Sequence, residues 1–190
     1  SPSDGGQPSL DQIVDDIVKT RVAGLHPRPF MPPGLANIDT IPVDTLRSMV
    51  RRYMRFSMAT CFFQTRLFVD PKVTEEDMAM FHRMMLLSSV ASVSRANAAA
   101  CGSDESRRGD RMVLENRTAA AETEMRLLVQ HLLLGGPSLA VGYGLFFVCF
   151  YFILVDMTVA RMYASMAVQM TVEMAAVLQD SDEPAPDGVL

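Results

Sequence analysis

SLAVGYGLFFVCFYFILV, Ser138 to Val155, is the stretch on which the reading of this chain turns. It is apolar on every face, and no charged residue occurs between Arg126 and Asp156. A helix that buries one stripe and wets the other shows polar residues at a period near 3.6, and this stretch shows none. About 20 apolar residues cross the hydrocarbon of a bilayer, where a helix satisfies its own backbone. The pattern predicts one membrane span carrying Ser138, Gly142, Gly144, Phe147, Phe150, Ile153 and Val155. Gly142 and Gly144 imply a neighbouring helix, because small residues permit close approach in lipid. The competing reading makes the same helix the buried centre of a soluble bundle.

Beyond the stretch, Asp156, Arg161, Ser165, Gln169 and Glu173 recur nearly every four residues. Val159, Met162, Met166, Val168, Met170 and Val172 lie between them. This predicts an amphipathic continuation to about Leu178. Counted from Pro137, one helix of roughly forty residues would measure about 60 Å. That exceeds a bilayer, so the extension should lie against other protein or on the membrane surface. Asp156 then sits at the membrane boundary. The tail DSDEPAPDGVL is acidic and reads as extended.

Before the stretch, Gly135-Gly136-Pro137 reads as a hinge and a helix start. Met112 to Leu134 reads as helix, favoured by Ala119 to Ala121. GSDESRRGD, residues 102–110, is a loop by composition and the most exposed tip. The sequon Asn116-Arg-Thr118 is a chance match if this helix lies on the positive side of a membrane. Arg107, Arg108, Arg111, Arg117 and Arg126 precede the span and only Arg161 follows closely. Positive charge stays inside, so the N-terminal bulk is expected on the cytoplasmic or matrix side.

Residues 44–69 carry five arginines and one aspartate. Leu46, Met49, Val50, Tyr53 and Met54 predict a helix with an apolar stripe, continued by Met58, Cys61 and Phe62. Arg47, Arg51 and Arg55 recur at i, i+4 and i+8 on one side, with Arg52 beside them. Guanidinium forks suit phosphate, so this row predicts an interfacial helix holding anionic phospholipid headgroups, cardiolipin among them. Its plainer reading is a solvated face, or ion pairs with a neighbour's acidic residues. CFFQTRLFV, residues 61–69, is apolar but too short to span.

Thr74-Glu-Glu-Asp77 opens another helix, with the Thr hydroxyl as cap and the acids on the positive helix end. Met78, Phe81, Met84, Met85, Leu87 and Val90 form its expected buried side. Fifteen methionines occur in 190 residues, and thioethers fill irregular gaps. Near the start, Ser9 caps a helix whose stripe is Leu10, Ile13, Val14, Ile17, Val18 and Val22. His26 to Gly34 holds four prolines and reads as an extended arm. An arm of this composition orders only where something holds it, which points to neighbouring chains in a large assembly.

No chemistry-bearing constellation emerges. The three cysteines are far apart, with no zinc spacing and no secreted disulfide framework. Glu115, Glu122 and His131 lack the Glu-x-x-His pairs of a carboxylate-bridged metal site. His82 is a lone helix histidine. GxSxG, HExxH, GxGxxG and the phosphate-binding loop motif are absent. No catalytic residue, metal or cofactor is therefore expected. The formal net charge of −5 and one short basic cluster argue against nucleic acid. Mean hydropathy is slightly positive, +0.16. The chain begins with Ser, which fits a targeting segment removed.

The expected fold is all-α, about four helices plus one long C-terminal transmembrane helix. Residues 1–43 form the N-terminal helix and arm, 44–136 a helical domain, 137–179 the span with its extension, and 180–190 the tail. The function this predicts is a non-catalytic accessory subunit of a large membrane complex. A mitochondrial inner-membrane energy-transducing complex, an ATP synthase or a respiratory complex, is the specific expectation. The alternative is a single-span viral or endomembrane scaffold protein.

Overall fold

Ser9 and Thr74, two of the three residues whose position before an apolar stripe predicts a helix cap, both do so; Asp44, the third, lies inside the first turn of the helix Val43–Phe56, which begins one residue earlier. The Ser9 hydroxyl accepts from the Gln12 amide while the Gln12 side chain accepts from the Ser9 amide. Thr74 and Asp77 make the same reciprocal pair. Each pair satisfies two amides that a helix start leaves open. The computed structural model describes residues 9–21, 36–56, 74–132 and 139–181. The expected arm, the apolar run 61–69, the hinge 135–137 and residues 182–190 of the acidic tail lie outside the described residues, while Asp180 and Ser181 of that tail end the last helix.

Among the described residues the fold is all-α: six helices, two short 3-10 turns and no strand. The helices are α1 (Leu10–Lys19), α2 (Val43–Phe56), α3 (Glu75–Cys101), α4 (Arg108–Leu132), α5 (Leu139–Ile153) and α6 (Met157–Ser181). The 3-10 turns are Ile38–Thr40 and Glu105–Arg107. α1 and α2 bury most of the stripes that their spacing requires, Ile13, Val14, Ile17 and Val18 against Leu46, Met49, Val50, Tyr53 and Met54; Leu10, expected in the α1 stripe, is 42% exposed at the helix start, and Val22 lies outside the described residues.

α3 is the hub, touching α1, α2, α4 and α5. Every residue from Met84 to Ala91 is buried, so its middle has no wet face. The one-sided stripe expected here is correct but incomplete, since Leu86, Ser88 and Ser89 are enclosed as well. Met80, Met84 and Met85 on α3, with Met125 on α4, fill the core as flexible thioethers do.

The long transmembrane helix does not form. α5 is a helix of 15 residues, about 22 Å long against a hydrocarbon core of about 30 Å. Among the described residues no helix is long and apolar enough to cross a membrane. The chain turns at Leu154 to Asp156 and runs back antiparallel as α6. Gly142 lies against Ala167 to Thr171, and the Cys149 thiol donates to the Ala160 carbonyl (3.3 Å).

The molecule's own side chains enclose α5. Phe147 is 1% exposed and Phe152 fully buried. The Tyr53 hydroxyl of α2 donates to the Phe147 carbonyl (2.9 Å), and the Phe81 ring of α3 meets Phe147 edge-on at 5.7 Å. Tyr163 of α6 packs on Phe152 with ring centroids 5.4 Å apart. Of the residues expected to line a span, Gly142, Gly144 and Phe147 are buried and Val155 half-buried. Phe150 and Ile153 reach the surface, and Ser138 lies outside the described residues. An all-round apolar sequence specifies a helix covered on all sides; it does not specify whether lipid or protein does the covering.

Candidate functional site

Four guanidinium groups expected to hold lipid stand on α2, and its helical period puts them together. Arg47, Arg51, Arg52 and Arg55, with Asp44 and Ser48, line a surface groove of about 570 Å³. Two of them are already paired with carboxylates inside the chain. Arg47 donates through Nε to Asp15 (2.8 Å) and through Nη1 to Asp44 (3.3 Å). Arg51 donates through Nη2 to Asp11 (2.7 Å). These bonds raise the affinity of Arg47 for its proton, chiefly through Asp15, and clamp α1 onto α2. Arg52 donates to the neutral Asn97 side chain of α3 (3.0 Å). Among the described residues, neither Arg52 nor Arg55 pairs with a carboxylate.

Three further arrangements escaped the sequence reading. Arg83 of α3 donates through Nε to Glu124 of α4 (2.7 Å) and through Nη1 to Asp39 (3.1 Å). The three side chains are only 14–16% exposed, so this is a structural rivet between two long helices and the first 3-10 turn. Asn116 of α4, read as a chance sequon, accepts from the Ala36 amide (2.9 Å) and holds the same N-terminal segment.

The second arrangement is a cleft of about 490 Å³ where α3 and α4 diverge. Ala98, Ala99 and Ala119 are too small to close it, and Arg95, Arg111, Glu115 and Glu122 rim it. Arg95 donates to Glu122 (2.9 Å) and to the Tyr151 hydroxyl (3.2 Å), and that hydroxyl donates to Glu122. Burial, then the Glu122 bond, pushes the Tyr151 phenol well above its ordinary range. Both favour the protonated phenol, which donates to Glu122. Arg111 is tied to Glu115 and to the Gly102 carbonyl. Each charge here already has an opposite charge, which makes the cleft a poor nucleophile or proton-transfer site.

The third arrangement is the corner between α5 and α6. Asp156 ends the apolar run as the N-cap of α6, its carboxylate accepting from the Thr158 (2.9 Å) and Val159 (3.2 Å) amides. Around it Phe150, Ile153, Leu154 and Met157 are all exposed, Leu154 to 84%. Farther along the outside of α6, past the exposed Arg161 and Ser165, Val168, Val172 and Met162 are exposed as well. The signal available in the sequence was Asp156 itself: an Asp directly before a helical pattern is a start signal as much as a boundary charge.

His82 stands on α3 beside α1. Burial holds its imidazole down at about 4, opposed by Asp16 and assisted by Lys19. Among the described residues, no three His, Cys, Asp or Glu side chains gather as metal ligands. No protein-family model, curated protein or solved structure matches this chain.

Proposed function

We propose that this protein is a non-catalytic structural subunit of a multi-protein assembly associated with a membrane, attached by surface contact instead of a span. The observation that carries this reading is the exposed apolar surface of α6 away from the corner, Val168 and Val172 with Met162 beside them. A helix whose inner face fills its own core while its outer face still exposes several large apolar side chains favours a neighbour, since exposed apolar patches mark interaction sites. Polar residues on this surface, the exposed Arg161 and the Gln169–Glu173 hydrogen bond (2.8 Å), suit a protein surface that is buried only on assembly. A mitochondrial inner-membrane energy-transducing complex, an ATP synthase or a respiratory complex, is the assembly in which to look first.

The test is the size of the native particle. Released from membranes in mild detergent, the chain should migrate well above its own 20.9 kDa. Val168→Glu with Val172→Glu should shift it to its own mass without loss of helix content. Wild-type protein running as a monomer would overturn the proposal. In this reading the α2 groove holds an anionic phospholipid headgroup through Arg52 and Arg55. Changing both to Gln should deplete phosphate from the purified assembly, and unchanged phosphate content would remove the lipid role.

A further inference from the structure

We propose that the α5–α6 corner is a lipid-contacting edge that enters the headgroup layer of an anionic bilayer. The inference rests on the membrane-associated reading above and deepens it by naming the part of the chain that meets lipid. Phe150, Ile153, Leu154 and Met157 lie within eight positions at one helical turn-around and are all exposed. Peripheral proteins bury exposed apolar side chains to about 5–10 Å at the boundary between headgroup and acyl chain.

Two further features fit lipid. Most of the corner's amides bond within the chain: Leu154 donates to the Tyr151 carbonyl, and Val155 and Asp156 donate to that of Phe152. Thr158 and Val159 donate to the Asp156 carboxylate, and Ala160 to its carbonyl. Those amides demand little of water, which lowers the cost of entering the headgroup layer. Positive charge also collects behind the tip. The exposed Arg126 guanidinium lies 5.7 Å over the Phe152 ring, and the exposed Arg161 sits one turn beyond Met157 on the same face. Asp156, committed to its cap, limits how deeply the corner goes. The chain's net charge of −5 means that attraction to anionic lipid comes from this local group alone.

The sequence contains no tryptophan, so Leu154→Trp introduces a single reporter at the tip. With vesicles of phosphatidylcholine and phosphatidylserine, its emission should shift to the blue and be quenched by brominated acyl chains. Vesicles of phosphatidylcholine alone should give a smaller response. Arg126→Gln and Arg161→Gln should each weaken partitioning about fivefold, and added salt should do the same. Ser106→Trp, at the exposed α3–α4 connection, should not respond. Leu154→Trp protein that keeps its helix content yet shows no shift on anionic vesicles would overturn the inference. An equal response from Ser106→Trp would overturn it too. A blue shift seen only inside the native assembly, never on vesicles, would assign the corner to a protein contact and refute lipid. In either failure the particle-size test of the Val168/Val172 variant still stands or falls separately.

Discussion

Phe152→Ala separates a core helix from a lipid-facing one. Phe152 is fully buried, stacked on Tyr163 and covered by Arg126, with Tyr151 edge-on at 5.0 Å. Truncation leaves a cavity that three neighbouring helices cannot close without moving. Such changes cost about 3–5 kcal/mol, so with a slope of about 2 kcal/mol per molar the urea midpoint should fall by about 2 M. Leu154, two residues on, is 84% exposed, and Leu154→Ala should change stability by less than about 0.5 kcal/mol. The assay is urea unfolding followed by far-ultraviolet circular dichroism, without lipid. Equal midpoints for the two variants would refute the placement of α5. So would a Phe152→Ala loss that appears only in bilayers.

Three other outcomes follow from the same packing. Arg83→Met strands Glu124 and Asp39 at a mostly buried site and should cost about 2–4 kcal/mol in chemical unfolding; Arg83→Met with Glu124→Leu should recover part of it. His82 is held near 4 in the folded chain against about 6.5 when unfolded, so the unfolded state takes its proton first as the pH falls. Stability should be full above pH 6.5 and fall by about 2–3 kcal/mol as pH drops toward 4, and His82→Gln should flatten that part of a stability–pH profile. An added Cβ at Gly142 meets nothing closer than 3.7 Å, whereas one at Gly144 collides with the Met84 sulfur of α3. Gly142→Ala should stabilise by up to about 1 kcal/mol in thermal unfolding, and Gly144→Val should destabilise by about 1–3 kcal/mol.

Local signals in this sequence were legible where one residue does one job. The Ser9 and Thr74 caps, most of the α1 and α2 stripes and the exposure of residues 102–110 are all set by neighbours a few positions away, although α4 begins at Arg108, inside the stretch expected as loop. The arginine row was legible as a row, because helical spacing fixes which side chains share a face. What the row faces depends on α1 folding back against α2, which places Asp11 and Asp15 opposite Arg51 and Arg47. The Arg83–Glu124 and Arg95–Glu122 pairs depend likewise on how α3 crosses α4. The misread element was α5, because hydropathy reports how completely a helix must be covered and is silent on the covering material. Its end was visible only in Asp156, whose carboxylate serves equally as a boundary charge and as a helix cap. The apolar corner was hidden for the same reason, since a continuous helix would have no corner.

Amide hydrogen exchange across α5 tests the central claim most directly. In buffer free of lipid and detergent, the amides of Val141 to Phe152 should exchange only through global unfolding, as slowly as those of Met84 to Ala91 in α3. Rapid exchange across α5 that becomes slow only when a bilayer is supplied would contradict the account, because lipid and not the chain's own helices would then be protecting it.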